Sequence, residues 1–501
     1  MKHLRSAAAL AIATAIVATL ALAGCGSSGT SNSTGEGATI NVGSLYEPSN
    51  LSNMGGGGQG VTEALNGNVY EGLYTLTDSG TVEPLLAKST TISADGLTYT
   101  IILRDGVNFH SGKAVTSKDV KVSIEDVVAP NSQSARKSSF MAISSIATPN
   151  DKTVIVTLKQ RSISFVYNLS YVWIVNADVK NLKTTEDGTG PYRLGTWKRG
   201  SSLSLERWSE YWGTPAKNKE VVFHYFTDAT ALGNALLTKQ VDVITSVQDP
   251  DSLSQFENNK NYVINNGKSI TKLLLAFNDR VAPFNNVDVR KGIYSAIDCK
   301  KLLQSIWGKY GTLIGSMVPP TDPWYEDLTN VNPYDVNLAK SELAKGGYPN
   351  GFSFTLDTPT YSPHPLVAEF LQSQLAKVGV TVKINSVSSD QWYSKVFVDH
   401  NFQATLQEHV NDRDVVWYGN PDFYWGYNNP QVTKWVSEAE QSSTPAGQTA
   451  YLKMVNEQIA KDAASAWLYL YPQIVVATSN LSGYPLNGLN SQFYAYNIVK
   501  K

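Results

Sequence analysis

From Thr39 onward the chain sets apolar against polar positions, and Thr39-Ile40-Asn41-Val42 alternates with the period of a strand. Across residues 63–74 the spacing lengthens. Leu65, Val69 and Leu73 recur every four residues, which predicts a helix with one apolar face. A strand-rich stretch follows at residues 98–103 and 153–158, with Arg104-Asp105-Gly106 as a turn after the first. Residues 117–127 read as a helix opened by Ser117 as its N-cap. Strands recur at 202–207, 221–226 and 272–277. Beyond Phe277 the texture changes to longer helical segments at 289–307, 336–346, 366–379 and 448–463, with short strands at 352–357 and 381–384 between them. Helices alternating with strands make α/β lobes.

A chain of 501 residues is too long for one hydrophobic core, so two or more lobes are expected. Apolar residues at 42% and charged residues at 17% are the balance of a globular protein, not of a disordered one. A formal charge of -2 leaves no basic field for a nucleic-acid backbone, and that class of partner is excluded. Gly55-Gly56-Gly57-Gly58 predicts a loop, either flexible or one where backbone comes close to something.

The N-terminus carries an address. Lys2 and Arg5 precede an apolar run at residues 7–23, which closes on Leu22-Ala23-Gly24-Cys25. Small residues after an apolar segment suit a signal peptidase, and Cys directly after Leu-Ala-Gly resembles the bacterial lipobox. The alternatives are a plain secretory signal with a chance Cys, or an uncleaved anchor. The Gly/Ser/Thr-rich residues 26–37 fit a tether. The expectation is a protein held by acylated Cys25 on the outer face of the cell membrane. Cys299 then has no partner for a disulfide and reads as a structural thiol.

Several segments together resemble the extracellular solute-binding proteins of peptide/nickel-type ABC transporters, the dipeptide- and oligopeptide-binding family. These are Asn68-Val69-Tyr70-Glu71-Gly72-Leu73; Leu103-Arg104-Asp105-Gly106-Val107-Asn108-Phe109-His110-Ser111-Gly112; Gly188-Thr189-Gly190-Pro191-Tyr192 with Tyr211-Trp212-Gly213; and Asn278, Pro283-Phe284, Val289-Arg290 and Ala296-Ile297-Asp298. They occur in order and span nearly the whole chain after the tether. Each also has a plain structural reading, as turn, tight connection or staple, with Asn278 and Arg290 expected under the hinge. The resemblance implies a two-lobed, hinged α/β clamp with an extra β-rich domain inserted in the first lobe. Its expected parts are a signal peptide at 1–24, the lipidated Cys and tether at 25–38, a first lobe from 39–69, 189–270 and 475–501, an inserted domain at 70–188, and a second lobe at 271–474.

In peptide binders of this family an Asp of the second lobe meets the peptide's amino group. Ungapped counting from Phe402 puts it at Asp412, with His409 where the family motif has Trp. Asp412 reads either as that anchor or as a solvated loop carboxylate. The Arg that clamps a dipeptide's carboxylate has no counterpart in Leu356-Asp357-Thr358-Pro359-Thr360-Tyr361. Trp417, Tyr418, Tyr424 and Trp425 follow Asp412 closely, and either face a ligand or pack the lobe interior. Met54, Gly55 and Gly56 correspond to the first-lobe rim. His409, beside Glu408, is the histidine nearest a nickel-chelate reading; no histidine shows paired metal-ligand spacing, and no cofactor is expected. A secreted hydrolase, the remote alternative, has no nucleophile elbow or His-Glu-x-x-His to build on. The expected partners of this monomer are a small, peptide-like solute, ABC permease subunits and the lipid bilayer. An oligosaccharide, metal chelate or opine-like solute is the alternative cargo.

Overall fold

The computed structural model describes residues 35–56, 58–134, 136–489 and 492–501. Cys25 and the expected signal peptide lie outside the described residues. Seven strands form the first sheet, in the order Tyr262–Gly267, Gln473–Thr478, Val243–Ile244, Thr39–Ser44, Glu220–Tyr225, Ser202–Arg207, Tyr192–Lys198. Alternation dictates its centre. Ile40 and Val42 are fully buried, and they stand in register with Val221 and Phe223 of the parallel neighbour. Five strands form the second sheet: Thr381–Val387, Ser353–Pro359, Ala404–His409, Lys272–Phe277, Ser465–Leu470. Lys272–Phe277 and Ser465–Leu470 are buried along their whole length, as strands covered on both faces must be.

A smaller antiparallel sheet runs Ala87–Ile92, Thr98–Leu103, Thr153–Leu158, Ile143–Asn150. The helix Ser117–Val128 packs Val120 and Ile124 onto its Ile101, Val154 and Val156, a hydrophobic core separate from that of the first sheet. The architecture is thus a two-lobed α/β clamp with a β-rich domain inserted in the first lobe. The chain crosses from the first sheet to the second between Gly267 and Lys272 and returns between Leu470 and Gln473. The two crossings lie side by side, since the Tyr471 amide donates to the Thr271 carbonyl at 2.9 Å. That pair of crossing segments is the hinge.

Four local expectations need correction. The helix expected over 63–74 is Gln59–Leu65 instead. Gly67, at φ +70°, turns the chain away, and the Asn68 and Val69 carbonyls accept from Tyr192 and Gly190 amides at 2.9 Å each. The helix expected over 289–307 is two, Val287–Ser295 and Cys299–Trp307, because Asp298 caps the second by accepting from the Lys301 amide at 2.9 Å. Thr116, not Ser117, caps Ser117–Val128, in a capping box with Asp119. Asn278 and Arg290 do not sit under the hinge. Asn278 donates to the His400 and Phe402 carbonyls, and Arg290 to those of Phe284, Asp462 and Ala463. Both lie at the end of the second sheet opposite the crossings, where Ala276 pairs with Ser465 rather than Lys272 with Leu470.

Three of the quoted segments meet at one carboxylate. Glu71 is buried and accepts from the Thr189 hydroxyl at 2.8 Å, the Tyr211 hydroxyl at 2.6 Å and the Trp212 indole N–H at 2.9 Å. Burial pushes its carboxyl up to about 7, the three donors countering.

Candidate ligand-binding site

A cleft of about 810 Å³, its open mouth included, lies against the crossings. The first lobe contributes Tyr46, Gln59 and Glu63, the crossings Thr271 and Tyr471, and the second lobe Glu408 and Val410. The C-terminal segment walls one side with Asn487, Gln492 and Phe493. A second cavity of about 1220 Å³ shares Gln59 and Val410 with the first, and so continues the cleft toward the inserted domain past Asn411, Arg136 and Tyr171.

The crossing cavity is acidic: its lining includes two carboxylates and neither Lys nor Arg. Glu63 stands on Gln59–Leu65, whose Val61, Ala64 and Leu65 anchor that helix in the first-lobe core. Its Oε2 accepts from the Ser44 hydroxyl at 2.8 Å, while Oε1 is buried without a hydrogen bond. Burial pushes the carboxyl up to about 7, with the Thr245 and Ser44 hydroxyls pulling the other way. Glu408, near the end of the strand Ala404–His409, is likewise pushed up to about 7 by burial, with Tyr361 countering. The phenols of Tyr46, Tyr361, Tyr469 and Tyr471 are raised by burial and, further, by Glu408. Tyr46 belongs to the other lobe and feels Glu63 as well, so the closed arrangement brings the two carboxylates around one phenol.

Asp412 is neither a solvated loop carboxylate nor a free anchor. It is buried, paired with Arg136 of the inserted domain, and accepts from the Tyr167 hydroxyl at 2.5 Å. Burial alone would raise its carboxyl; the Arg136 guanidinium and the Tyr167 hydroxyl hold it below the usual range. The guanidiniums of Arg136 and Arg413 stack on Tyr171 and Tyr167, at 3.8 and 3.4 Å from the ring centroids. Glu440 accepts from the Ser162 hydroxyl and the Ile163 amide, and Gln448 donates to Ser164. These contacts latch the inserted domain to the second lobe.

The aromatic positions divide. Tyr418, Tyr424 and Trp425 are buried in the second-lobe core, Tyr418 stacked on Trp425 at 4.3 Å, so the interior reading applies to them. Trp417 is half-buried and stacks on Phe423 at 5.0 Å. Neither cavity described above includes any of the four among its lining residues. His409 is also turned inward. Its Nε2 meets the Tyr424 hydroxyl at 2.9 Å and its Nδ1 faces Asp414 at 3.4 Å, which uses both ring nitrogens. Asp414 pairs with fully buried Lys272 at 2.9 Å, and Lys272 also donates to the Asn411 carbonyl at 2.6 Å, so the first residue of a hinge strand holds the loop that carries Asp412. Met54 and Gly56 line the second cavity; Gly55 lies against Lys183. Among the described residues no group of three His, Cys, Asp or Glu is placed to hold a metal ion.

Glu63, Tyr46, Tyr361 and Tyr471 were not singled out from the sequence. One signal was available for Glu63, a carboxylate among the apolar residues Val61, Ala64 and Leu65, on the face where a solvated Glu does not belong.

A family model described as bacterial extracellular solute-binding proteins, family 5 Middle, matches residues 81–431. Among curated proteins, a glutathione-binding protein GsiB of Escherichia coli is 27% identical over 452 residues, covering 85% of this chain and 87% of its own. Among solved structures, the ABC transporter-associated periplasmic binding protein DppA of Helicobacter pylori, in complex with the peptide STSA, superposes with a TM-score of 0.79 at 24% identity, covering 93% of this chain and 98% of that one. The binding protein AgaA of A. tumefaciens R10, in complex with agropinic acid, gives a TM-score of 0.79 at 23% identity, with 93% and 99% covered.

Proposed function

The chain belongs to family 5 of the bacterial extracellular solute-binding proteins of ABC importers, and from that premise we propose that it captures an oligopeptide-like solute between its lobes and delivers it unaltered to a membrane permease. The observation that carries this is the cleft at the crossings, with walls from both lobes and an extension of about 1220 Å³ toward the inserted domain. Ligand contacts made on both sides of a cavity so divided favour the shut form. The peptide STSA bound by the Helicobacter pylori relative agrees with a peptide cargo. Acylated Cys25 holds the protein, as a monomer, at the outer face of the membrane within reach of the permease.

A second reading, a non-peptide solute, draws on one observation. Asp412, where the family resemblance puts the contact to a peptide's amino group, is already paired with Arg136. Native mass spectrometry of protein purified from its own host tests both. A co-purified peptide is expected. A bound opine, sugar or chelate selects the second reading, and turnover of the bound solute refutes capture itself.

A further inference from the structure

On the reading of a cleft that shuts around a solute, the geometry points to a solute bearing a cationic nitrogen, an ammonium or a guanidinium, held between Glu63 of the first lobe and Glu408 of the second. Glu63 is only 5% exposed, lines the cavity and has hydroxyls, those of Ser44 and Thr245, as its neighbours in place of a counter-ion. A buried carboxylate without a counter-ion is costly, and the cavity lining includes no Lys or Arg to supply one. In the empty cleft a proton meets that cost, since burial pushes the Glu63 carboxyl up to about 7, and a cationic guest takes the proton's place. Around Glu408, the phenol rings of Tyr46, Tyr361, Tyr469 and Tyr471 all lie close enough to feel its charge. A carboxylate with phenols and no cation beside it is a setting that favours a cation over a neutral or anionic group. Tyr471 adds a buried hydroxyl with no hydrogen bond, also on the cavity wall.

The placement on opposite lobes gives the charge a mechanical role. A cation that meets carboxylates from both lobes binds the shut form preferentially. Asp412 does not compete, because Arg136 neutralises it. The groups facing the two carboxylates are phenols: Tyr46 and Tyr225 toward Glu63, and Tyr46, Tyr361, Tyr469 and Tyr471 toward Glu408. With both carboxyls near 7 in the empty cleft, an arriving cation expels protons at neutral pH, and affinity weakens as pH falls below about 7. The cation's source is either a peptide's amino terminus or a basic side chain.

Calorimetric titration of the full chain with three peptides separates these: Ala-Ala-Ala-Ala, acetyl-Ala-Lys-Ala-Ala and acetyl-Ala-Ala-Ala-Ala. At least one cation-bearing peptide is expected to bind tenfold or more tighter than the third, and which one identifies the source. Proton release, read from buffers of different ionisation enthalpy, should accompany it. Glu63→Gln and Glu408→Gln should each shrink both the preference and the proton release, with circular dichroism unchanged. Equal affinity for the third peptide, which carries no cation, or a double variant that keeps the preference, overturns the proposal and leaves the clamp standing. Should no peptide bind, the peptide reading falls, and the cargo released on denaturing host-purified protein decides: a solute without a basic nitrogen refutes the cation site. Absence of both cargo and any ligand-dependent change in small-angle scattering sinks the clamp reading itself.

Discussion

A carboxylate's neighbours decide its work here. Asp412 and Glu63 are both buried, yet one has a guanidinium and the other has hydroxyls only. Removing Arg136 strands the Asp412 charge in the interior, so Arg136→Ala is expected to cost about 3–5 kcal/mol in urea denaturation. Replacing both partners by apolar residues (Arg136→Met with Asp412→Leu) should recover most of it; a double variant as unstable as the single one would show that the pair is not the source. Among the described residues five carboxyls are pushed up to near neutrality by burial, Glu63, Glu71, Glu408 and Asp322 to about 7 and Asp279 to about 8, and Asp126 is raised as well. Between the ordinary carboxyl value and these, the folded chain binds more protons than the unfolded one, so stability is fullest at the low end and declines as pH rises. Buried His364, lowered to about 4, works in the opposite direction, as does half-buried His224, but they are two against five. The melting temperature of ligand-free protein should therefore be higher at pH 5.5 than at pH 8, and a reversed slope would refute the assignment.

Elements meet where backbone touches backbone. A Cβ on Gly190 would stand 2.5 Å from the Asn68 carbonyl oxygen, and one on Gly188 2.0 Å from that of Val69. Neither neighbour is a side chain that could swing away. Gly190→Ala is expected to cost about 1–3 kcal/mol, measured as a lowered urea midpoint with unchanged m-value. An unaltered midpoint would show that the junction yields. The same junction explains why the helical spacing of Leu65, Val69 and Leu73 failed to predict a helix. The Asn68 and Val69 carbonyls accept from Tyr192, the first residue of a strand, and from Gly190 just before it, which satisfies two backbone groups that a helix would otherwise have used. Asp298 splits the 289–307 helix for a local reason, since a short carboxylate caps the next helix better than it sits within one.

At the scale of the molecule, the latch of Arg136, Asp412, Ser162 and Glu440 bridges the inserted domain and the second lobe, so closure engages three parts and not two. The proposed acylation of Cys25 would attach the protein to a membrane. Cys25→Ala should move the protein from the membrane pellet to the soluble fraction, and continued sedimentation with membranes would refute acyl anchoring at that residue. Among the described residues no helix is long and apolar enough to cross a bilayer.

Eight of the twenty strands among the described residues were legible in the sequence, because inward and outward positions are set by burial against neighbours whatever those neighbours are; the clamp was legible only through the family resemblance. Residues 98–103, 153–158, 202–207 and 272–277 are strands to the residue. Which side chains face the cleft was not legible. Trp425 and Tyr418 are as aromatic as Tyr46 and Tyr471, but the first two fill the second-lobe core while the others wall the cavity. Composition cannot separate these fates. Charge partners hundreds of residues apart, such as Arg136 with Asp412, become neighbours only when the chain has crossed between its sheets, and that proximity alone decides which carboxylate is spent on the fold and which is left for a guest.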